Sequence, residues 1–443
     1  MINLVFEDLD NLRNCFDESE LFLEKDVYRI TTSQYANNLK MISVYQKALE
    51  FKQKDSITFN KKDYKINFLS TEDVVDGKYI IPIGVNQSPK DWMSDFYTPD
   101  PHNFKNIFDK LSDRYLGDLQ NGKAFLMIDN TLEGYHSNDI FEYLYLSAVL
   151  RHISPKQIIY VTGNLNIEKN LEKWCSENKG KEPIMVIPYA HFEYDIGSKF
   201  HLITRHNNGI LPTTYNHMTH KESLGPHGVK IYNFLNKKPR KHRTWMYGAL
   251  HSWNLLDKGV ITMNPSDSID IEIDYNKLSE DTIIECNLKL PIYAYDDDVN
   301  DKEFDYYMYN FNQQASLDSW ITIVSETHFE DKQETCFLSE KTFKAIACQN
   351  PFLILGNRGS LKKLHDMGYK TFDHIIDEGY DDLESIHRIN AIVDIIRHWE
   401  SNPNKLKQYK WFSPILEHNV EVLKYNAMFN PPAKFHKLVE ILK

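Results

Sequence analysis

The chain has 443 residues, a formal net charge of −12, and a composition of 42% apolar and 26% charged residues that is typical of globular proteins. This length exceeds one ordinary hydrophobic core and predicts two domains of about 200 residues each. The acidic balance excludes a protein that coats nucleic acid over its whole surface, and five scattered cysteines without a CxxC pair indicate a reducing compartment and no zinc site.

The amino terminus, MINLVFEDLDNLRN, carries acidic residues and lacks an apolar stretch followed by a small-residue cleavage site. The sequence also lacks a run of about 18 apolar residues that would span a bilayer. We therefore expect a cytoplasmic protein with no membrane partner.

Strand and helix patterns alternate in the first half of the chain. In residues 1–70, segments with a helical pattern alternate with polar loops. We expect these residues to cover or extend the first domain. Four later apolar runs are predicted strands: YIIPIG from 79, KAFLMID from 123, QIIYVT from 157 and IMVIPY from 184. Helical patterns separate the last three of these runs from one another. This alternation predicts a parallel, doubly wound sheet.

A second α/β set begins after residues 205–228, whose glycine, proline and histidine content predicts an interdomain connection. KIYNFLN from 230 and VITM from 260 are its first predicted strands, with a helix over about 244–256 between them. The predicted fold class is α/β, with two Rossmann-like domains that face each other across a cleft. Their predicted bounds are 1–222 and 229–400, and a helical tail over 401–443 packs back towards the first domain.

Residues 319–356 are the most informative stretch, and they predict a strand, a polar loop, a helix and a second strand. A polar triplet follows the first strand, and a serine caps a helix that opens with Glu-Lys: Ser325, Glu326 and Thr327, then Ser339, Glu340 and Lys341. A helix amino terminus beside the carboxyl end of a strand favours phosphate binding.

The Glu340–Lys341 pair has the chemistry that a nucleotide site needs. A carboxylate accepts hydrogen bonds from both ribose hydroxyls, and a cation neutralises a diphosphate. The alternative is a glutamate that is common in a first helical turn, followed by a solvated lysine.

The segment LSEKTFKAIACQNPFLILG, after its polar triplet, resembles the donor-binding segment of fucosyltransferases with a GT-B fold. Ser325, Glu326 and Thr327 take the place of that family's polar triplet, and residues 339–341 match its T/S-E-K motif. The resemblance implies a metal-independent glycosyltransferase that requires no cofactor and uses a nucleoside-diphosphate sugar as co-substrate. Because Ser325 departs from the family pattern, the resemblance does not imply fucose.

The basic run KKPRKHR, from Lys237 to Arg243, lies between a predicted strand and helix of the second domain. In the family that this chain resembles, an arginine near the start of the second domain binds the donor diphosphate, and Arg240 and Arg243 are the candidates here. The alternatives are a solvated charge run and a contact to nucleic-acid phosphates.

Three side chains after the strand at 123–129 are candidates for a general base: Asp129, Glu133 and His136. Glycosyl transfer by direct displacement needs a group that takes the proton of the acceptor hydroxyl. We assign catalysis to Asp129 or Glu133, and the alternative is that they only cap a strand and a turn.

Two other clusters have metal-ligand spacing, but we expect neither to bind a metal. Asp296 and Asp298 resemble a metal-binding DxD, although an acidic, solvated loop is the simpler interpretation. His217, His220 and His227 lie in the predicted connection, without a predicted helix or nearby cysteines.

The composition, which is rich in Asn, Lys and Tyr, resembles that of bacteriophage proteins. Phages use GT-B enzymes to glycosylate hydroxymethylated bases of their DNA. The resemblance therefore implies a nucleotide sugar and duplex DNA as partners, in the host cytoplasm. The alternatives are a glycan or polysaccharide acceptor, and a non-catalytic nucleotide- or nucleic-acid-binding protein.

Overall fold

A computed structural model describes residues 2–6, 57–59, 62–64, 66–70, 77–84, 106–135, 139–198, 200, 213–224, 229–236, 239–263, 313–402 and 412–442. His136, His227, Lys237 and Asp296–Asp298 lie outside these residues. The chain divides into two compact units, Met1–Tyr194 with Met428–Lys443, and Asp195–Ala427. The division therefore lies before the boundary at 222 that we predict, and the carboxyl-terminal tail contributes to both units.

Among the described residues, the first unit contains a six-stranded sheet, and all its neighbouring strands run parallel in the order β4-β1-β5-β6-β7-β8. A separate antiparallel hairpin is formed by β2 and β3. The strands are β1 Ile2–Phe6, β2 Ile57–Phe59, β3 Lys62–Tyr64, β4 Ile66–Ser70, β5 Tyr79–Gly84, β6 Ala124–Asn130, β7 Ile158–Thr162 and β8 Met185–Pro188.

Helices cover this sheet because its central strands are largely apolar and buried throughout, as is usual for parallel sheets. Side chains such as Phe141, Leu144 and Trp174 pack from the helices against Leu126 and Ile128 in one core. The helices of this part of the chain are α1 Asp113–Gln120, α2 Asp139–Leu150 and α3 Ile167–Glu177, followed by α4 His191–Ser198 at the division between the units.

The first 70 residues extend the sheet of the first unit, with strands in places where the sequence suggests only helical pattern and polar loop. Residues 2–6 form β1 inside the sheet, and 66–70 form β4 at its edge. Their parallel pairing joins residues more than 60 positions apart, with Ile2 opposite Ile66. Such a pairing leaves no local sequence pattern, because each strand is only five residues long.

In the part of the second unit that the structure describes, four parallel strands form a sheet in the order β10-β9-β11-β12. Its strands are β9 Lys230–Leu235, β10 Gly259–Thr262, β11 Ser319–Ser325 and β12 Phe352–Leu355. The remaining helices are α5 Thr214–Leu224, α6 Lys241–Ser252, α7 Gln313–Leu317, α8 Glu340–Ala347, α9 Ser360–Asp366, α10 Ser385–Ser401 and α11 Ser413–Leu442. Strand and helix therefore alternate here as the sequence predicts, and the mixed α/β class is confirmed.

Helix α5 lies within residues 205–228, which we predicted to be a connection, so that prediction is wrong for 214–224. The helix begins where the Thr214 N–H donates to Gln349 Oε1 at 2.7 Å. Its buried residues are Thr214, His217 and Lys221 rather than aliphatic ones. An apolar stripe, the usual sequence signal of a packed helix, is consequently missing.

Both sheets share one order of connection. In the first unit, β1 comes first along the chain and lies between β4 and β5, the next two strands of the sheet. In the second unit, β9 comes first and lies in the same way between β10 and β11. In such doubly wound sheets, ligands bind beyond the carboxyl ends of the strands where the order reverses. In the second unit, this switch point lies between β9 and β11.

None of the helices within the described residues is both long and apolar enough to cross a membrane.

Candidate functional site

The predicted donor-site residues of the second unit lie around the switch point. Arg240 and Arg243 follow β9, and the triplet at 325–327 ends β11, the neighbouring strand. The Arg240 Nη1 donates to the Thr327 carbonyl oxygen at 2.9 Å. The arginine run and the polar triplet, which are about 80 residues apart in sequence, therefore meet at one sheet edge.

Arg243 is buried, with 4% of its surface exposed, and it holds the end of β11. Its Nε donates to Ser325 Oγ at 3.1 Å, and its Nη2 donates to the carbonyl oxygens of Ser325 and Glu326, each at 3.2 Å. Burial, with a smaller contribution from Arg240, lowers the Arg243 pKa to about 10, so the guanidinium keeps its charge at neutral pH. These contacts fit a positioning role.

Glu326 is fully buried and ties β11 to the start of α8. Both of its carboxylate oxygens accept from the Ser339 N–H at 3.1 Å, and Oε1 accepts from the Thr342 hydroxyl at 2.5 Å. Burial raises the Glu326 pKa, and the Lys341 charge opposes that rise. At Gly356, a Cβ would lie 3.1 Å from Glu326 Cγ, which explains a glycine directly after β12.

Glu340 and Lys341 form an ion pair at the amino terminus of α8. Lys341 Nζ lies 2.6 Å from Glu340 Oε1, and both side chains are partly exposed. Burial alone would raise the Glu340 pKa, but Lys341 and Lys344 outweigh it and hold that pKa at about 2. Glu340 is therefore a fixed carboxylate at neutral pH, able to accept hydroxyl hydrogen bonds.

The cap of α8 is the one that the sequence predicts. Ser339 Oγ accepts from the Lys341 N–H at 3.4 Å and lies 3.3 Å from Lys341 Nζ. Because the N–H groups of Ser339 and Lys341 already have acceptors, an anion here would rely on side chains and on the helix dipole. The eight predicted donor-site residues form one connected hydrogen-bond network.

His328 and Phe329 belong to this site, although sequence reasoning missed them. Burial lowers the His328 pKa to about 4, and the positive charges of Arg240 and Lys341 add to the effect. Phe329 stacks on His242 with 5.1 Å between ring centroids, and His242 Nε2–H donates to the Glu326 carbonyl oxygen at 3.0 Å. Two aromatic residues directly after the polar triplet are the available sequence signal.

The side chains at this edge therefore divide into two groups. Arg243, Glu326 and Ser339 are buried and bonded to protein atoms, so they shape the edge. Arg240 is exposed and Lys341 is partly exposed. These two cations are the groups that can neutralise a bound diphosphate.

Asp129 lies at the carboxyl end of β6 in the first unit, with 1% of its surface exposed. Its Oδ1 accepts from the Thr131 N–H at 3.0 Å, while its Oδ2 is buried without a hydrogen-bond partner among the described residues. Burial raises the Asp129 pKa to about 7, although contacts with Thr131 favour the charged form. A carboxyl group with this pKa can give or take a proton near neutral pH.

Glu133 is half-buried, four residues beyond Asp129. Its backbone carbonyl accepts from the Thr162 hydroxyl at 3.2 Å and from the Gly163 N–H at 3.1 Å. These contacts fix the loop after β6 against the end of β7. The buried carboxylate oxygen and the raised pKa of Asp129 make it the preferred candidate base.

His217 and His220 are bound by protein groups. His217 Nε2–H donates to the Cys348 carbonyl oxygen at 2.8 Å, and its Nδ1 accepts from Lys221 Nζ at 3.0 Å. His220 Nε2 lies 2.8 Å from Asp318 Oδ1. No cluster of three or more His, Cys, Asp or Glu side chains that could hold a metal ion occurs among the residues that the structure describes.

The His217 contact predicts a pH-dependent stability. Burial lowers the His217 pKa to about 3 from a usual value of 6.5, so between these values the unfolded chain binds a proton that the folded protein does not. The contribution of His217 to the free energy of unfolding should fall as pH decreases below about 6.5, by up to about 1.4 kcal/mol per pH unit. Thermal denaturation between pH 7 and pH 5 measures this loss, which His217→Gln should reduce.

The matched control for that experiment is His387→Gln, which removes an exposed imidazole. It should leave the pH dependence as in the unmodified protein. Equal slopes for the His217 and His387 variants would contradict the interpretation.

Comparisons of the chain with protein-family models, with curated proteins and with solved structures find no match.

Proposed function

We propose that the protein is a glycosyltransferase with a GT-B fold, which moves a sugar from a nucleoside-diphosphate sugar to an acceptor hydroxyl. The supporting observation is the switch-point edge of the second sheet, where residues from three chain segments form one network: 240–243, 325–327 and 339–341. The resemblance of residues 319–356 to a donor-binding segment points to the same edge.

The donor is proposed to bind in the second unit. Glu340, held ionised, accepts the ribose hydroxyls, and Arg240 and Lys341 neutralise the diphosphate. Because neighbouring backbone N–H groups are already paired, these side chains also stabilise the leaving diphosphate as the glycosidic bond breaks. The buried residues Arg243 and Glu326 hold the site's geometry before the donor arrives.

The first unit is proposed to carry the base. Asp129 would take the proton of the acceptor hydroxyl as that oxygen attacks the sugar. The proposed acceptor is a hydroxymethylated base in duplex DNA. The exposed side chains of Arg240 and Lys241 lie in the basic run that would support contacts to DNA phosphates.

A ligand screen followed by a transfer assay tests this function. Thermal denaturation is measured with nucleoside diphosphates and nucleoside-diphosphate sugars, and a ligand at 100 times its Kd should add about 2.7 kcal/mol of stability. The stabilising sugar nucleotide is then incubated with duplex DNA that contains hydroxymethylated bases, with unmodified duplex and with free glycans.

We expect release of the nucleoside diphosphate and transfer to the hydroxymethylated duplex, together with DNA binding that weakens steeply with salt. Transfer to a glycan would replace the acceptor assignment and keep the reaction. Binding without transfer to any acceptor would favour a non-catalytic nucleotide-binding protein. If no nucleotide changes the Tm, the donor-site assignment is wrong.

A further inference from the structure

Arg388, in the first turn of α10, is a fully buried arginine that has no role in the proposed reaction. A buried guanidinium is costly unless its N–H groups are paired. Here Nε and Nη2 donate to the Leu383 carbonyl oxygen at 3.1 and 2.8 Å, and Nη1 donates to the Gly356 carbonyl oxygen. The side chain therefore ties the start of α10 to the end of β12.

Arg388 also contacts the β11–α8 loop, which comprises residues 326–339. Its Nη2 lies 3.2 Å from Asp331 Oδ1, and its guanidinium carbon lies 4.7 Å from the centroid of the Phe329 ring. Asp331 in turn accepts from the Ser385 N–H at 2.6 Å and from the Ser385 hydroxyl. Two side chains of the loop are thus fixed to the amino terminus of α10.

The Phe329 contact continues to the proposed donor site. Phe329 stacks on His242, whose ring donates to the backbone carbonyl of Glu326. Glu326 then holds the amino terminus of α8 through Ser339. Arg388 is therefore connected to the helix that carries Lys341 through packed rings and hydrogen bonds, although it lies 47 positions further along the chain.

We propose that Arg388 is a positioning residue for the donor site, which sets the conformation of the β11–α8 loop without contacting the ligand. This inference rests on the proposed function. Lysine should not replace the arginine, because an ammonium group cannot supply the fixed fork of donors that pairs with Leu383, Gly356 and Asp331. A purely structural role would instead lower the stability of the whole unit and leave the affinity of the folded protein unchanged.

The test compares Arg388→Lys with Arg397→Lys, a control on the same helix whose arginine is partly exposed over Trp253. The Kd of inorganic pyrophosphate is measured by calorimetry at a temperature where each protein is folded. Amide hydrogen exchange is followed in residues 326–339 and, for reference, in β12. Arg388→Met provides a second variant, which removes the charge and keeps a long apolar side chain.

For both Arg388 variants, we expect the pyrophosphate Kd to rise about tenfold and exchange to quicken in the loop more than in β12. The Arg397 variant should match the unmodified protein in both measurements. An unchanged Kd in folded Arg388 variants, or equal acceleration throughout the unit, would overturn the positioning role. If the unmodified protein itself binds no pyrophosphate, the proposed function fails first, so the two failures are distinguishable.

Discussion

Replacing Lys341 by alanine is expected to weaken the binding of a nucleoside diphosphate by about 10- to 100-fold, the usual loss for one hydrogen bond to a charged group. Lys341 is partly exposed at the amino terminus of α8, with its ammonium group 2.6 Å from Glu340. We expect a bound diphosphate to contact this ammonium group and the guanidinium group of Arg240. Calorimetric titration of the purified variant with the nucleotide found in the screen measures the loss.

The Lys341 variant is also expected to lose some stability, because Lys341 pairs with Glu340 and its charge opposes the rise of the Glu326 pKa. Its affinity is therefore measured at a temperature where the variant is folded. Lys362→Ala is the matched control, because it removes an exposed lysine from α9 in the same unit. Equal affinities for the Lys341 variant, the Lys362 variant and the unmodified protein would remove the donor site from this edge.

The site in the second unit is largely predictable from sequence because its signals are local. Ser339 precedes a helix, Pro351 precedes a strand, and Gly356 ends that strand, so short-range rules place the helix start beside the strand ends. The structure gives α8 its predicted start at Glu340, and β12 follows it as the predicted second strand. What local rules cannot predict is which of the polar side chains become buried.

Burial changes the roles of Arg243 and Glu326. Sequence reasoning places both in contact with a donor, whereas the structure pairs the guanidinium with the end of β11 and the carboxylate with Ser339 and Thr342. The arginine belongs to α6, and it lies 82 residues before Ser325 in the sequence. A sequence pattern read over short windows has no access to such contacts.

The same limit explains the contacts of Arg388, which the sequence does not predict. Arg388 contacts the β11–α8 loop from α10, a helix whose sequence signal is an apolar stripe that includes the buried Ile389 and Ile392. In α5, buried His217 and Lys221 stand where the helical pattern expects aliphatic side chains. Polar residues that are buried in pairs hide an element from hydrophobic periodicity.

Asp129→Asn is expected to lower the transfer rate by about 100- to 10,000-fold, the usual contribution of a general base, while nucleotide affinity stays unchanged. The substituted amide would keep the shape of the side chain and lose the ability to take a proton. Because burial holds the Asp129 pKa at about 7, transfer by the unmodified protein should rise with pH up to about 7 and level off above it. Initial rates between pH 5 and pH 9 measure this profile.

Stability supplies a second readout of the same carboxyl group. Its folded pKa lies above the unfolded value of 3.8, so the folded state holds this proton between these values, and the stability that Asp129 contributes should fall as pH rises from about 4 to about 7. Asp129→Asn should remove that fall and raise the Tm relative to the unmodified protein at pH 8.

Asp113→Asn is the control for both measurements, since Asp113 is exposed at the start of α1 in the same unit. It should preserve the rate profile and the pH dependence of Tm. The Asp129 variant could transfer slowly and yet differ from the unmodified protein by the same Tm at pH 5 and at pH 8. That result would contradict a buried Asp129 carboxyl group with a raised pKa. A variant with normal transfer would instead return the choice of base to Glu133, whose half-buried side chain follows on the same loop.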